Sequence, residues 1–414
     1  MTIEKKILDI ENTINEIWDK KPFVSDLSLF TGIGGIPIFY YMLYKYKNQP
    51  EYLQKIEEVI NFIFERLNDD DVNIGPTYCL GIAGIGFMLN YLENTNEIQN
   101  IDFSEGLEVI DDILIDSVDH FLSYIDEIND SHKLDQIDFL HGITGISYYL
   151  LERINKGIDI EKLTTVFEKV SEIAQWDYSE ALKVKDIDTI QEGLHKTNVG
   201  LAHGHTSFII LFSKFLEIYP SNNKIKQGLE ASVKTVLLFK NDDKDGFCMF
   251  PSIAISKKTA FYNIHLGWCY GDQSVAYGLY KAGKTLNNED LIEESKNIAY
   301  STLKRETMHS ALLNGEDCDA GFCHGTISVA YYHKKWYSVT NDERFLHLYN
   351  KFSNDTLLLA NKPEGLAGYI KHLGDNETSN AIGLLDGIAG IGTFLIDKQL
   401  NDPSLTWDSI FLLN

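Results

Sequence analysis

One short pattern occurs seven times in this chain. Apolar segments opening with Gly-x-x-Gly or Gly-x-x-Ser begin at Gly32, Gly81, Gly142, Gly204, Gly271, Gly325 and Gly387, at intervals of 49 to 67 residues. The run after each opening, such as Ile36 to Leu43 or Ile391 to Ile396, is apolar on every face, as in a helix buried all round. Between the copies lie amphipathic stretches. In Glu51 to Leu67 the residues Leu53, Ile56, Val59, Ile60, Ile63 and Leu67 recur at helical spacing, with Glu57, Glu58 and Glu65 between them. A unit of one outer and one inner helix cannot bury its inner member alone, so neighbours must stack. Inner helices this apolar do not suit an exposed groove, so the stack is expected to close. The predicted fold is all-α: an (α/α) toroid of seven inner and seven outer helices, with residues 1–414 as a single domain. The glycines are expected where inner helices crowd at one rim and a missing side chain lets backbones approach.

Two stretches interrupt the helical pattern, at 183–198 and 241–263. They mix glycine, charge and β-prone runs such as Phe247-Cys248-Met249-Phe250, and predict irregular or hairpin-like excursions that pack together. Eight prolines and no Ser/Gly linker argue against a second domain. Asp plus Glu number 61 against 36 Lys plus Arg, a net charge of -25, which disfavours nucleic acid and anionic lipid and suits a neutral or basic peptide. The start lacks a signal-peptide core and no apolar run approaches a membrane span. Five sparse cysteines without scaffold spacing predict a reducing cytoplasm. A closed ring leaves no edge in need of a partner, so a monomer is expected.

Aligning the units on their first glycine gathers the chemistry. Two positions before it stand Cys79, Cys269 and Cys323; one position before it stand His141, His203, Tyr270, His324 and Asp386. Asp138 lies four before Gly142 and His265 six before Gly271. These side chains should emerge together around the mouth of the ring. Cys269 and Cys323 belong to adjacent units and His324 adjoins Cys323, so the three form a zinc ligand set with one coordination position open, the arrangement of a catalytic site. Cys79 holds the same unit position but lies far around the ring, and is read as packing. Cys248 and Cys318 fall off the pattern, with Cys318 the substitute ligand if a fourth exists. His205 and Asp386 are read as structural.

With these residues in view, the chain resembles the lanthionine synthetase C-like cyclases over nearly its whole length. The specific parts are Trp268-Cys269-Tyr270-Gly271, Cys323-His324-Gly325 and Gly200-Leu201-Ala202-His203-Gly204. The resemblance implies one Zn2+ on Cys269, Cys323 and His324, proton transfer at His203, and matching roles for Asp138 and Tyr270. It implies a dehydrated precursor peptide as substrate, with a lantibiotic dehydratase and an ABC exporter as partners in a membrane-associated complex. One departure stands out: the family's arginine four residues before the first zinc cysteine is His265 here, where a protonated imidazole would have to stabilise developing negative charge. The second glycine is serine at Ser207, Ser274 and Ser328, a small-for-small change.

The reaction expected is addition of a substrate cysteine thiolate to dehydroalanine or dehydrobutyrine, with protonation of the α-carbon by His203 or Tyr270. Competing readings are a zinc-dependent prenyl- or glutathione-type thiol transferase on the same ring, a peptide-binding scaffold with structural zinc, and an α/α-toroid glycosidase, which would need two facing carboxylates.

Overall fold

The structure, a computed structural model, describes all residues except 21–25, 70–71, 73, 190, 242–247, 263, 314–316 and 375–376. Among the described residues there are fifteen α-helices and seven short strands. Inner helices are α2 (Ile36–Lys47), α4 (Ile82–Asn94), α7 (Ile143–Glu152), α9 (His205–Ile218), α11 (Asp272–Leu286), α13 (Thr326–Thr340) and α15 (Ile388–Leu400). Outer helices are α1 (Ile3–Lys20), α3 (Glu51–Leu67), α5 (Phe103–Tyr124), α8 (Ile160–Val184), α10 (Asn223–Leu238), α12 (Glu289–Thr302) and α14 (Glu343–Leu359). A fifteenth, short helix, α6 (Asp130–Gln136), precedes α7. Packing of α15 against α1 and α2 brings the last unit onto the first. The ring is the seven-plus-seven toroid that the repeat predicts.

Inner and outer helices begin differently. Asp102, Asp159, Asn222, Asn288 and Asp342 cap outer helices, each side chain accepting backbone N–H bonds of the first turn. Such caps contribute about 0.5–2 kcal/mol each. Inner helices begin at glycine with no side-chain cap, and the turn before each helix folds back over its N-terminus: Ile82 N–H, for example, donates to Gly75 O at 2.8 Å. The glycines serve this turn and also the close approach of neighbouring units that the sequence suggested: a Cβ on Gly35 would lie 2.8 Å from Leu384 N of the last unit, and one on Gly145 2.6 Å from Tyr78 Cβ of the second. A Cβ on Gly84 would lie 2.2 Å from Tyr78 O of its own unit. Where serine replaces the second glycine, its hydroxyl bonds the carbonyl of the first: Ser207 to Gly204, Ser274 to Gly271 and Ser328 to Gly325. At their far ends α2, α11, α13 and α15 stop at Asn48, Asn287, Asn341 and Asn401, all left-handed, a conformation asparagine tolerates.

A belt of backbone hydrogen bonds runs around the rim through the residues two before each first glycine. Cys79 N–H donates to Leu140 O, Ala202 to Cys269, Cys269 to Cys323, Cys323 to Leu385 and Leu385 to Phe30, at 2.9–3.2 Å. One residue earlier in each unit, Leu29, Tyr78, Phe139, Leu201, Trp268, Phe322 and Leu384 are all 0% exposed and fill the bore.

The bore is closed by the segment after α15, a plug that no repeat or motif in the chain foretells. Trp407–Phe411 is a 3-10 helix, and Trp407, Ile410, Phe411, Leu412 and Leu413 are fully buried. Inner-helix and rim side chains donate to its carbonyls: Tyr78 to Ile410, Tyr148 to Ser409, Trp268 Nε1 to Phe411 and Tyr277 to Leu413. Phe411 stacks on Phe30 and Phe322, 5.2 and 4.0 Å between centroids.

The two excursions do meet. Strand β1 (Thr197–Asn198) pairs with β2 (Pro251–Ala254), which pairs with β3 (Ala260–Tyr262), all antiparallel. Part of the second excursion, including Phe247, lies outside the described residues. Two further hairpins were not foreseen: β4 (Leu312–Leu313) with β5 (Asp317–Cys318), and β6 (Lys371–Gly374) with β7 (Glu377–Ser379). No helix among the described residues is long and apolar enough to cross a membrane.

Because the plug is held by buried hydroxyls, Tyr148→Phe should lower the unfolding free energy by about 1–3 kcal/mol, as Ser409 O loses its donor. Deleting residues 407–414 should abolish the cooperative transition. Urea denaturation followed by far-UV circular dichroism checks both.

Candidate metal centre

The belt that joins neighbouring units also sets the ligand spacing. Cys269 and Cys323 stand on adjacent rim turns, tied by the Cys269 N–H to Cys323 O bond at 2.9 Å. Gly267 allows the approach of the two turns, since a Cβ there would lie 2.5 Å from His324 Cα. One ligand atom each from Cys269, Cys323 and His324 all lie within 4.8 Å of one another. Cys269 and His324 are each 6% exposed.

Two thiols and an imidazole suit a borderline-soft divalent ion such as zinc. His324 Nε2 is buried without a hydrogen-bond partner, so the ring keeps bonding capacity that the fold itself leaves unused. Metal-free, Cys323 and His324 hold their protons. The Cys323 thiol is pushed well above its usual range by its hydrogen bond with Cys269 and then by burial. Burial alone would lower His324, but Cys323, Asp319 and Asp386 outweigh it and push the imidazole up to about 9. Cys318 stands apart, its thiol directed to Met308 O and Asp319 O. Among the described residues the cluster has no fourth His, Cys, Asp or Glu.

Across the mouth His203 and Asp138 form a hydrogen-bonded pair. His203 Nδ1 is 2.6 Å from Asp138 Oδ2, while Asp138 Oδ1 accepts the His141 backbone N–H at 2.7 Å. The carboxylate thereby fixes the ring and holds the Nδ1 proton, leaving Nε2 for exchange. The His203 side chain is 33% exposed and Asp138 is buried, so the imidazole faces the mouth from an anchored base. Tyr270 lies beside it, 6.4 Å between ring centroids, and its hydroxyl accepts from Asn198 Nδ2 at 3.1 Å. Burial pushes the Tyr270 phenol up to about 12, so it stays a neutral donor.

His265 is placed at the site, edge-on to Tyr270. Its electrostatics oppose the expected imidazolium: it is 3% exposed, and burial, then His324 and Arg305, push it down to about 3. Its Nδ1 accepts the Gly267 N–H, as a neutral ring does. Cys79 is 5% exposed and belongs to the apolar core. Its thiol, pushed up to about 12 chiefly by burial, also feels Cys323, Asp386 and Asp138. His205 is structural: it and His195 both bond the buried Asp177 carboxylate.

Sequence reasoning missed four supports. Asp319 backs His324, with Oδ2 3.8 Å from Nε2, and also takes the N–H groups of Gly321 and His372. Asn198 orients Tyr270. Lys371 on β6 pairs with Asp386 at 2.7 Å beside the Cys323 turn. Asp272, the first residue of α11, is wholly buried and holds Arg305 together with the N–H groups of Met249 and Phe250. Asn198, His265 and Asp319 each stand six before their unit's first glycine, the same register as Asp26 and Gln136. Extending that column beyond His265 would have found the first two supports.

With this geometry in hand, the profile of the family described as lanthionine synthetase C-like protein matches residues 24–412. The chain belongs to that family. Nisin biosynthesis protein NisC of Lactococcus lactis subsp. lactis is 22% identical over 410 residues, covering 94% of this chain and 89% of that protein. The solved structure of nisin cyclase superposes with a TM-score of 0.70 at 19% identity, covering 97% of each chain, so the toroid is shared at low sequence similarity.

Asp272→Asn should cost about 3–5 kcal/mol, because Arg305 is left buried without its counter-charge. Denaturant titration of the purified variant reads this loss.

Proposed function

We propose that the chain is a zinc-dependent peptide cyclase. It adds the thiolate of a substrate cysteine to a dehydroalanine or dehydrobutyrine in the same lantibiotic-type precursor, closing lanthionine or methyllanthionine rings. The observation that carries this reading is the convergence of Cys269, Cys323 and His324 opposite the His203–Asp138 pair. Family membership supports it.

Cys269, Cys323 and His324 would hold the ion, which supplies a position where an incoming thiol loses its proton near neutral pH. The remaining chemistry belongs to the chain. His203 Nε2, with its ring fixed by Asp138, takes up the thiol proton and later returns it. As the sulfur–carbon bond forms at the β-carbon, the alkene electrons move toward the α-carbon and its carbonyl oxygen. The Tyr270 hydroxyl, kept neutral by burial, donates to that developing charge. The proton on His203 then goes to the α-carbon, so no atom is gained or lost. The floor of Trp268, Phe322 and Phe411 keeps water from approaching through the bore. The substrate is a peptide that a dehydratase has already acted on.

Zinc uptake by metal-free protein should release protons, because Cys323 and His324 start protonated. Affinity should therefore fall as pH falls from neutral, since protons compete for the same atoms. Calorimetry in buffers of different ionisation enthalpy measures the release. Cys269→Ala and Cys323→Ala should lose zinc and ring closure while keeping the helical spectrum. His203→Ala should retain zinc but slow cyclisation by about 10²–10⁴-fold. The assay is loss of alkylatable thiol at constant peptide mass, and a normal rate in His203→Ala would remove that residue from the mechanism.

A further inference from the structure

Helix α5 has two faces in use, and its neighbours in the ring account for one. Leu107, Ile110, Leu114, Val118 and Phe121 are buried against the core. The other face carries Glu105, Val109, Ile113, Ser117, His120 and Tyr124, at three- and four-residue spacing along one side of the helix. Val109 and Ile113 are 55% and 43% exposed, large apolar side chains one turn apart.

That face lines two cavities placed end to end. One, of about 780 Å³, lies between α5 and α3 and runs from Asp102 to Ser117. The second, of about 340 Å³, continues from Ser117 past Tyr124 to His141 at the rim. Pro76 and Ser117 border both, which makes them one groove. At its upper end the His141 ring stacks on His203 with centroids 5.7 Å apart, beside the proton-transfer pair. The next outer pair is closed differently: Lys162–Asp119 and Lys169–Asp126 bridge α8 to the α5 side.

Charge and length narrow the occupant. Asp102, Glu105 and Asp116 line the groove, and no lysine or arginine does among the described residues. From Glu105 to Tyr124 the helix rises about 28 Å, the span of roughly eight extended residues. An extended chain of neutral or basic character, with apolar side chains meeting Val109 and Ile113, fits this surface.

We propose that this face of α5 is a docking track for the linear part of the substrate peptide outside the ring being closed. The inference rests on the peptide-cyclase reading. A segment held there delivers the reacting residues over His141 into the metal centre, converting their encounter with the site into an intramolecular event. It therefore governs KM and leaves kcat alone.

The test compares wild type with Val109→Arg/Ile113→Arg, both exposed positions, on two synthetic peptides. One contains only a dehydroalanine, a short spacer and a cysteine; the other flanks this ring pair on both sides with linear segments of Leu, Ser and Lys. Zinc content and circular dichroism should match wild type. KM for the long peptide should rise at least about tenfold with kcat unchanged, and both constants for the ring-only peptide should stay as in wild type. A long-peptide KM within about twofold of wild type overturns the proposal. So does a wild-type dimer that the variant dissolves with KM unaltered, since a second copy would then cover this face. If wild type consumes no thiol from either peptide, the cyclase reading fails, and fluorescence anisotropy of the labelled long peptide decides the track separately. Binding lost in the variant supports it; equal binding, or none by either protein, removes it.

Discussion

The hydrogen-bonded belt at the rim is the constraint on which the site depends. Each bond contributes only about 1 kcal/mol net to stability. Its larger effect is geometric, because it holds consecutive rim turns at the spacing of an antiparallel backbone contact. Cys269 and Cys323 are partners in that belt, so their sulfurs converge because their backbones are already joined. The bond from Leu385 to Phe30 links the last unit to the first, and the ligand turns are thereby held from both sides.

Around this belt, three consecutive residues in every unit divide the work. The first points into the bore and is fully buried in all seven units. The second supplies the backbone bond and, at Cys269 and Cys323, a thiol. The third reaches the mouth as His141, His203, Tyr270, His324 or Asp386. A one-residue shift within a unit would place a mouth residue in the bore, where an unpaired polar group is costly. Chemistry and stability are thus written in adjacent letters, and the glycine after them fixes which letter plays which part.

The seven-fold ring, its helix pairs and the clustering of Cys269, Cys323 and His324 could be read directly from the sequence, because a repeat converts equal unit positions into equal places in space. The same alignment put His203, Asp138 and Tyr270 in one neighbourhood. Asn198 and Asp319 escaped although they stand in the repeat's register, six before their first glycines; the rest of what escaped lies outside it. The plug at Trp407–Phe411 has no counterpart in other units, and its apolar residues read equally well as an ordinary terminal turn. Hairpins β4–β5 and β6–β7 are too short for periodicity to register. The neutrality of His265 is a property of its surroundings, since burial and the charges of His324 and Arg305 come from segments remote in sequence. A missing Cβ at the rim glycines serves an intra-unit turn as well as the approach of neighbouring units, and only the second follows from the repeat alone.

The plug places the floor of the metal centre far downstream of its ligands. Phe411 packs against Trp268 and Phe322, the residues immediately before Cys269 and Cys323, and Trp268 donates to its carbonyl. Synthesis runs from the N-terminus, so all three ligands leave the ribosome before Phe411 does. The nascent rim then stands over an unsealed bore, with its thiols open to oxidation and to stray ions from below. A finished pocket is accordingly a late event in the life of the polypeptide, reached once the Trp407–Phe411 turn has filled the bore.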